Sequence, residues 1–541
     1  MARTTRSAAT GSTEPQGLSL TMTMTFTLHY PPMVRPMNPN LRKSLMHRTT
    51  VVKALTALVV ALVSLGSAAQ TERLELPDMG ASSDNVLSRA EEEEYARALV
   101  GQMRAYDVLI DDPLIAGFFE DMGYRLAAHS DRPDKSFTFV VLNQDIVNAF
   151  AAPGGVIALY SELILRADDQ NEVAGVLAHE IAHVTQQHLY RALEKQKAMS
   201  IPIALAMLAI AVAGGGDGEA ITGALMSGQA AAAQSAINYT RQNEYEADRI
   251  GITTLSRAGF DPAGMPEFFE KMGRITRAMG EGPPEFLRTH PVSVSRIAEA
   301  ENRAASMPEP EPSDGQDFYL VQARLRVMTS KQPDEALEWF DHRAGRADVT
   351  PAELDAIDYG RAIALQKKGD YAEARRLINH LLERHDHVAY DLQLAEIDLD
   401  AGNDSGAIDR LAGLYNSFPG NHAISLHYAE ALLKDGDPEQ AQTAAVVLRQ
   451  QLRDHKDDPR LYELYARSAN IPGDTVRSRE AIAESYYLRG GVHEAAMQLQ
   501  ELARRDDLDF YQRSRITARI NELRLELAKM GKEETEEDRS R

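Results

Sequence analysis

At 541 residues, with 44% hydrophobic and 26% charged positions, the chain has the length for two or three globular domains and the composition for a packed core. A formal net charge of −22 disfavours nucleic acid and anionic lipid headgroups as partners. The absence of cysteine excludes a disulfide framework and a lipid-bearing cysteine.

The first 45 residues carry no periodic pattern. Arg48 and Lys53 then precede an apolar run from Ala54 to Leu65, and Ser67-Ala68-Ala69 leads into Gln70. A basic flank, a short apolar stretch and a small-residue exit form the layout of a signal peptide. The run is shorter than the roughly 20 residues that span a bilayer, though an uncleaved anchor is the alternative. A signal beginning at Met46 would have ordinary length, which makes the residues before it an extension. Export together with a lack of cysteine points to the periplasm of a Gram-negative bacterium.

Helical periodicity covers Arg89 to Met103 and Leu114 to Ala128, and Ser136 to Leu142 reads as a strand. Asn148 to Tyr160 reads as strand, sharp turn at Pro153-Gly154-Gly155, and second strand. Asp169 to Val184 is a helix with Val173, Val176, Leu177, Ile181 and Val184 on one face, and Asp169 with Glu172 matches a capping box. Ile201 to Ala213 and an Ala-rich stretch ending at Ile237 fit two buried helices, with a membrane-contacting hairpin as the rival. Pro308 to Asp314 is a linker. Beyond it, Gly369, Gly402, Gly436 and Gly490 are each followed five residues on by Ala374, Ala407, Ala441 and Ala495, and Ala336 marks a degenerate earlier unit. The first three glycines lie 33 and 34 residues apart, the period of tetratricopeptide repeats. An irregular helix pair is expected around Leu461 to Ala483.

His179-Glu180-Ile181-Ala182-His183 carries the chemistry. Two His one helical turn apart share a face and can hold one Zn²⁺ through neutral imidazoles. Glu180 flanks the ion, where it can take a proton from a bound water. A pair on a solvated face is the bland alternative, and the apolar Ala178, Ile181 and Ala182 argue against it. Glu244-Tyr245-Glu246-Ala247-Asp248 offers a third ligand at Glu244 and, one turn on, Asp248 to hydrogen-bond a ligand imidazole. These residues alone leave an acidic surface helix open. Glu246 reads as a solvated charge, and His188, five residues past His183, as a polar surface residue. His380, His385 and His387 read as solvated.

HExxH followed by ExxAD resembles the HtpX-like and CAAX-prenyl-endopeptidase-like zinc peptidases over roughly Glu91 to Ala304. The resemblance implies one zinc ion held by His179, His183 and Glu244, with Asp248 behind them and Glu180 as the catalytic base. It also implies that Asn148, Ala149, Phe150 and Ala151 form an edge strand that pairs with substrate backbone. Thr289-His290-Pro291 with Arg296 looks like a later element of these enzymes, which brings His290 and Arg296 to the site. There they would stabilise an oxyanion, or His290 would occupy the open zinc position in a latent form. HtpX itself has membrane spans that this chain lacks in sequence.

The fold class is mainly α: a zinc peptidase domain of helices with a small β-sheet, then an α-helical tetratricopeptide solenoid. The expected division is an extension with signal peptide (1–69), peptidase (70–307), linker (308–316), repeats (317–530) and a charged tail (531–541). The function this implies is an exported metalloendopeptidase in outer-membrane protein quality control. Its partners would be polypeptide substrates, outer-membrane proteins and their assembly machinery, with peripheral membrane contact through 201–237 and no nucleic acid. The rival from another class is a chaperone or scaffold that acts through its repeats, with the zinc site held shut.

Overall fold

A computed structural model describes residues 88–195, 241–279, 284–311 and 313–540. The expected signal peptide and the stretch from Ile201 to Ile237, expected as two buried helices or a membrane-contacting hairpin, lie outside the described residues. Among the described residues, no helix is long and apolar enough to cross a membrane.

Helix α1 (Arg89–Ala105) opens with a capping box between Ser88 and Glu91. Helix α2 (Pro113–Ala128) starts on Asp112, whose side chain accepts from the amides of Leu114 and Ile115, with Pro at the first turn where no amide is needed. Strands β1 (Thr138–Leu142), β2 (Ala149–Ala152) and β3 (Val156–Tyr160) form a sheet in the order β1-β3-β2. Central β3 is parallel to β1 and antiparallel to β2, and all five of its residues are buried. That burial explains its unbroken apolar sequence. Strand β2 is left with an open edge among the described residues.

Short α3 (Ser161–Arg166) leads to α4 (Gln170–Thr185), which carries the HExxH pattern through the middle of the domain. Asp169 caps α4 as expected, accepting from the amides of Asn171 and Glu172 at 2.8 and 3.1 Å. The second half of the expected capping box is shifted. Glu172 accepts from the amide of Asp168 at 2.8 Å and from Lys271 Nζ at 2.5 Å, so it serves a buried lysine and the residue before the cap. Around α4 stand α5 (His188–Lys195), α6 (Arg241–Arg257), α7 (Gly264–Met279), α8 (Glu285–Thr289) and α9 (Val294–Ala304). Helix α6 lies close along α4 because Gly251 faces it. A Cβ there would sit 3.1 Å from the carbonyl carbon of Ala178.

The repeats begin with α10 (Gln316–Thr329) and α11 (Pro333–Ala344), followed by α12 (Pro351–Lys368) with α13 (Tyr371–Leu382) and α14 (Val388–Asp400) with α15 (Asp404–Ser417). Then come α16 (His422–Leu432) with α17 (Pro438–Asp454), the irregular pair α18 (Pro459–Asn470) and α19 (Thr475–Leu488), and finally α20 (Val492–Ala503) and α21 (Phe510–Ser540). Gly369 and Gly402 turn between paired helices at φ of 84° and 81°, while Ala374, Ala407, Ala441 and Ala495 are wholly buried where second helices meet first ones.

Two features were not visible in the pattern. Helix α10 is apolar on opposite faces: Phe318, Val321 and Leu325 complete the peptidase core, while Leu320, Ala323 and Val327 belong to the repeat core. Helices of the repeat array also pack against α1 and α2. Helix α16 contacts α2, and Arg97 of α1 donates to the Tyr487 hydroxyl of α19 at 2.6 Å. Part of the repeat surface expected to take extended polypeptide therefore holds the chain's own peptidase helices.

At this junction Arg324 is buried. Its Nε donates to Asp112 at 2.8 Å, Nη1 to Gln393 and Nη2 to Glu396 each at 3.0 Å, and His427 reaches the same Glu396 oxygen at 2.7 Å. Burial pushes the Glu396 carboxyl up, but Arg324 and His427 outweigh it and hold the group down at about 2. Burial likewise pushes His427 down, and Glu396 outweighs it, so the ring titrates above its ordinary value. Arg324→Ala would strand the buried Asp112 and leave half-buried Glu396 with His427 alone, and is expected to destabilise the protein by about 3 kcal/mol in urea unfolding. A loss within error of zero would refute this account of the junction. The signs of the pH dependence follow from the two shifts. The Glu396 contribution is lost as pH falls from 4.5 toward about 2. The His427 contribution is complete below 6.5 and lost as pH rises through its higher folded value. The melting temperature of wild type should fall on both sides of that window, and that of Arg324→Ala should respond less on the acid side.

Candidate metal centre

Helix α4 places His179 and His183 one turn apart in a fully buried stretch, with their Nε2 atoms 2.9 Å apart. From α6, Glu244 sets Oε2 3.7 Å from His179 Nε2 and Oε1 3.5 Å from His183 Nε2. His290, just past α8, brings Nδ1 to 3.4 Å from both His179 Nε2 and Glu244 Oε2. These four side chains are at most 2% exposed, and their donor atoms all lie within 4.8 Å of one another.

A tetrahedral ion with bonds of about 2.0–2.1 Å keeps its ligands roughly 3.3 Å apart. The donor set has that spacing, so the residues fit a metal ion. Glu244 Oε1 is buried without a hydrogen-bond partner among the described residues, as a ligand oxygen would be. Burial, with the His179 and His290 rings beside it, holds His183 well below its ordinary pKa, in the neutral form that binds metal.

Behind the donors, His179 Nδ1 lies 3.0 Å from Asp248 Oδ1. Arg296 Nε and Nη2 donate to Asp248 at 2.7 and 2.8 Å, and Nη1 donates to Glu244 and to the Pro291 carbonyl, each at 2.8 Å. Burial pushes both carboxyls up, but their partners outweigh it: His179 and Arg296 lower Asp248, and His290, His179 and Arg296 lower Glu244. Arg296 therefore positions two carboxylates. This corrects the expectation that it faces an oxyanion, because its donors are turned to Asp248, Glu244 and Pro291.

Glu180 is fully buried, and neither oxygen has a well-formed hydrogen bond among the described residues. Burial raises its pKa, and His290 Nε2 stands 3.4 Å from Oε1. A carboxylate whose basicity is raised in a dry pocket is suited to take and return a proton. The Ala151 amide lies against it. In strand β2, the bond from Tyr160 N to Asn148 O and the register Ala149↔Leu159 fix the alternation. Asn148 and Phe150 turn their backbone groups to β3, while Ala149 and Ala151 turn theirs to the open edge. Of the four residues expected to pair with substrate, these two have backbone groups directed outward. Next to β2, a small crevice with His183 on its wall runs past Ala151 and Gly155. It adjoins a cavity of about 220 Å³ edged by Arg89, Arg132, Lys135 and Tyr190.

The expectation of a surface-exposed His188 fails here. His188 is fully buried, with Nδ1 2.8 Å from His183 Nδ1, and Glu246 accepts from His188 Nε2 at 3.1 Å. Placing His188 at the surface assumes that α4 continues, whereas Glu246, on α6, keeps a side chain 30% exposed while bonded to it. Helix α4 stops at Thr185, and Gln187 adopts φ of 54°, a left-handed turn that swings His188 back beneath His183. The short spacing between the two His was the available signal. His387 is also engaged: its ring caps α14 at the Ala389 amide and meets Asp317 at 2.8 Å.

Known proteins place this geometry in context. Residues 116–304 match peptidase family M48, and residues 398–468 match the tetratricopeptide repeat. The chain is 35% identical over 487 residues to the beta-barrel assembly-enhancing protease of Escherichia coli strain K12, covering 87% of this chain and 96% of that one. It is 34% identical to the protein of that name from Yersinia pestis, covering 83% and 91%. The mitochondrial metalloendopeptidase OMA1 of Saccharomyces cerevisiae is 34% identical over 165 residues, 30% of this chain and 44% of that one.

Glu244→Ala should abolish metal retention through dialysis. Asp248→Asn, which weakens the partner of His179, should lower metal affinity about 10–100-fold. Elemental analysis and chelator competition read both, and undiminished binding in Glu244→Ala would refute this ligand set.

Proposed function

Because the chain belongs to peptidase family M48 and is a metallopeptidase with tetratricopeptide repeats, we propose that it is a zinc endopeptidase. Zinc would be held by His179, His183 and Glu244, and the substrate would be misassembled envelope protein. The observation that carries this reading is the convergence of those three side chains, with Glu180 beside them. Two neutral imidazoles and one carboxylate suit zinc among the divalent ions. When bound, the ion supplies Lewis acidity, lowering the pKa of a water and polarising the scissile carbonyl.

The chain's own residues do the rest. Ala149 and Ala151 bind an extended substrate segment as an added strand, which recognises backbone and leaves sequence preference to the adjoining cavity. Glu180 takes the water's proton on its carboxylate and passes it to the departing amine nitrogen. Asp248 holds His179 in the tautomer that leaves Nε2 unprotonated, and Arg296 holds Glu244 and Asp248 in place. The peptidase segment is read as 70–307 and the repeats as 317–530, with 308–316 between them, 1–69 removed on export and 531–541 as a tail. The name of the bacterial relatives supports an envelope location, hence the periplasm, and partners among outer-membrane proteins and their assembly machinery.

One observation favours a second, compatible reading, in which the resting enzyme is latent and the repeats act as a chaperone or scaffold. His290 Nδ1 stands at the fourth corner of the donor set, where a water must bind for hydrolysis. In that reading His290 leaves before catalysis.

Glu180→Gln should keep its metal and lose about 10²–10⁴-fold in casein cleavage. Retained cleavage would overturn the peptidase mechanism, and full activity in cells without cleavage would favour the chaperone reading. His290→Ala should raise casein cleavage if the latent arrangement holds. A fall of the size seen in Glu180→Gln would instead assign His290 to transition-state stabilisation.

A further inference from the structure

His188 stands outside the donor set and outside the roles given above, yet it is wholly buried against a proposed metal ligand. For His183 to present Nε2 to a metal while neutral, its one ring proton must sit on Nδ1. That atom is 2.8 Å from His188 Nδ1, which must then be the acceptor. The His188 proton is thereby confined to Nε2, which lies 3.1 Å from Glu246 Oε2. Arg191 Nη1 approaches the same carboxylate oxygen at 3.4 Å, and its Nε donates to the Gln186 carbonyl at 2.7 Å, fastening the turn. Each link fixes the tautomer of the next.

We infer that His188 is a positioning residue which, with Glu246 behind it, orients His183 and fixes its proton on Nδ1 so that Nε2 can hold the metal. The inference rests on the reading of His179, His183 and Glu244 as metal ligands. The two ligand imidazoles are thus supported differently: His179 faces a carboxylate directly at 3.0 Å, and His183 reaches one through a second ring. The fold makes room for this arrangement by placing Gln187, a residue with a Cβ, at φ of 54°. A histidine kept only to fill space would not require its two nitrogens to face an imidazole and a carboxylate.

The test measures Zn²⁺ affinity of the full chain by competition with a chromogenic chelator, independently of proteolysis. His188→Leu preserves bulk and removes the acceptor, and is expected to bind Zn²⁺ about 10–100-fold more weakly. His188→Gln returns an amide oxygen for His183 Nδ1–H and should recover most of that loss. Wild-type affinity in His188→Leu, or equal losses in the Leu and Gln variants, would overturn the inference. If circular dichroism shows that His188→Leu does not fold, Glu246→Ala at its partly exposed site decides: a several-fold loss supports the relay and an unchanged affinity overturns it. His183→Ala separates the two levels. Wild-type affinity there would refute the ligand assignment itself, and the relay with it, whereas lost binding there with intact binding in the His188 and Glu246 variants would refute the relay alone.

Discussion

Charge compensation in a dry pocket is the constraint around which the peptidase domain is organised. Glu180, Glu244 and Asp248 bring three carboxyls to a site where none is more than 4% exposed, and Arg296 is the fixed cation bonded to two of them. Uncompensated buried carboxylates are costly, so the surplus negative charge must be met by protons or by a metal cation. The raised pKa values of Glu180 and His290 follow the same logic, the first through burial and the second through its carboxylate neighbours against burial. A divalent cation among the donors would offset the surplus that Arg296 leaves. Helix α4 can host this arrangement because its residues from Val173 to Val184, apart from His179, Glu180 and His183, are apolar, and its ends are tied by Asp169 at the start and by the Gln187 turn beyond its close.

Much of this was legible before any coordinates. Ligand spacing within one helix is a one-turn relation, and repeat spacing is a one-period relation, so both survive in a linear string. The alternation that buries Ala374, Ala407 and Ala441 could be read for the same reason. What could not be read depends on where regular structure stops. A helical wheel extended past Thr185 puts His188 at the surface, and a single left-handed residue at Gln187 invalidates that projection. Arg296 was placed near the site by resemblance, but a string cannot say whether a guanidinium points at substrate or under a ligand. Here its partners are Asp248, Glu244 and Pro291. The doubled role of α10 was hidden because a helix apolar on two faces gives little amphipathic signal.

The repeats do more than extend the chain. Tetratricopeptide arrays commonly offer an extended concave surface to a partner, and here α1 packs on α19 and α2 on α10 and α16, so part of the array's surface is already occupied. A polypeptide that binds the remaining surface would do so beside the peptidase helices, which brings recognition and hydrolysis into one neighbourhood. Through its two apolar faces, α10 belongs to the core of each half.

Asp112 belongs to both sides of that junction. One of its oxygens starts α2 by accepting the amides of Leu114 and Ile115, and the other receives Arg324. Helix α2 in turn packs on α4. Loosening of the repeats at Arg324 would therefore fray the first turn of α2, and that disturbance would travel one helix further to the ligands. Amide exchange in α2 should then follow the opening of the junction more closely than it follows global unfolding, which makes the array a mechanical brace for helix α4.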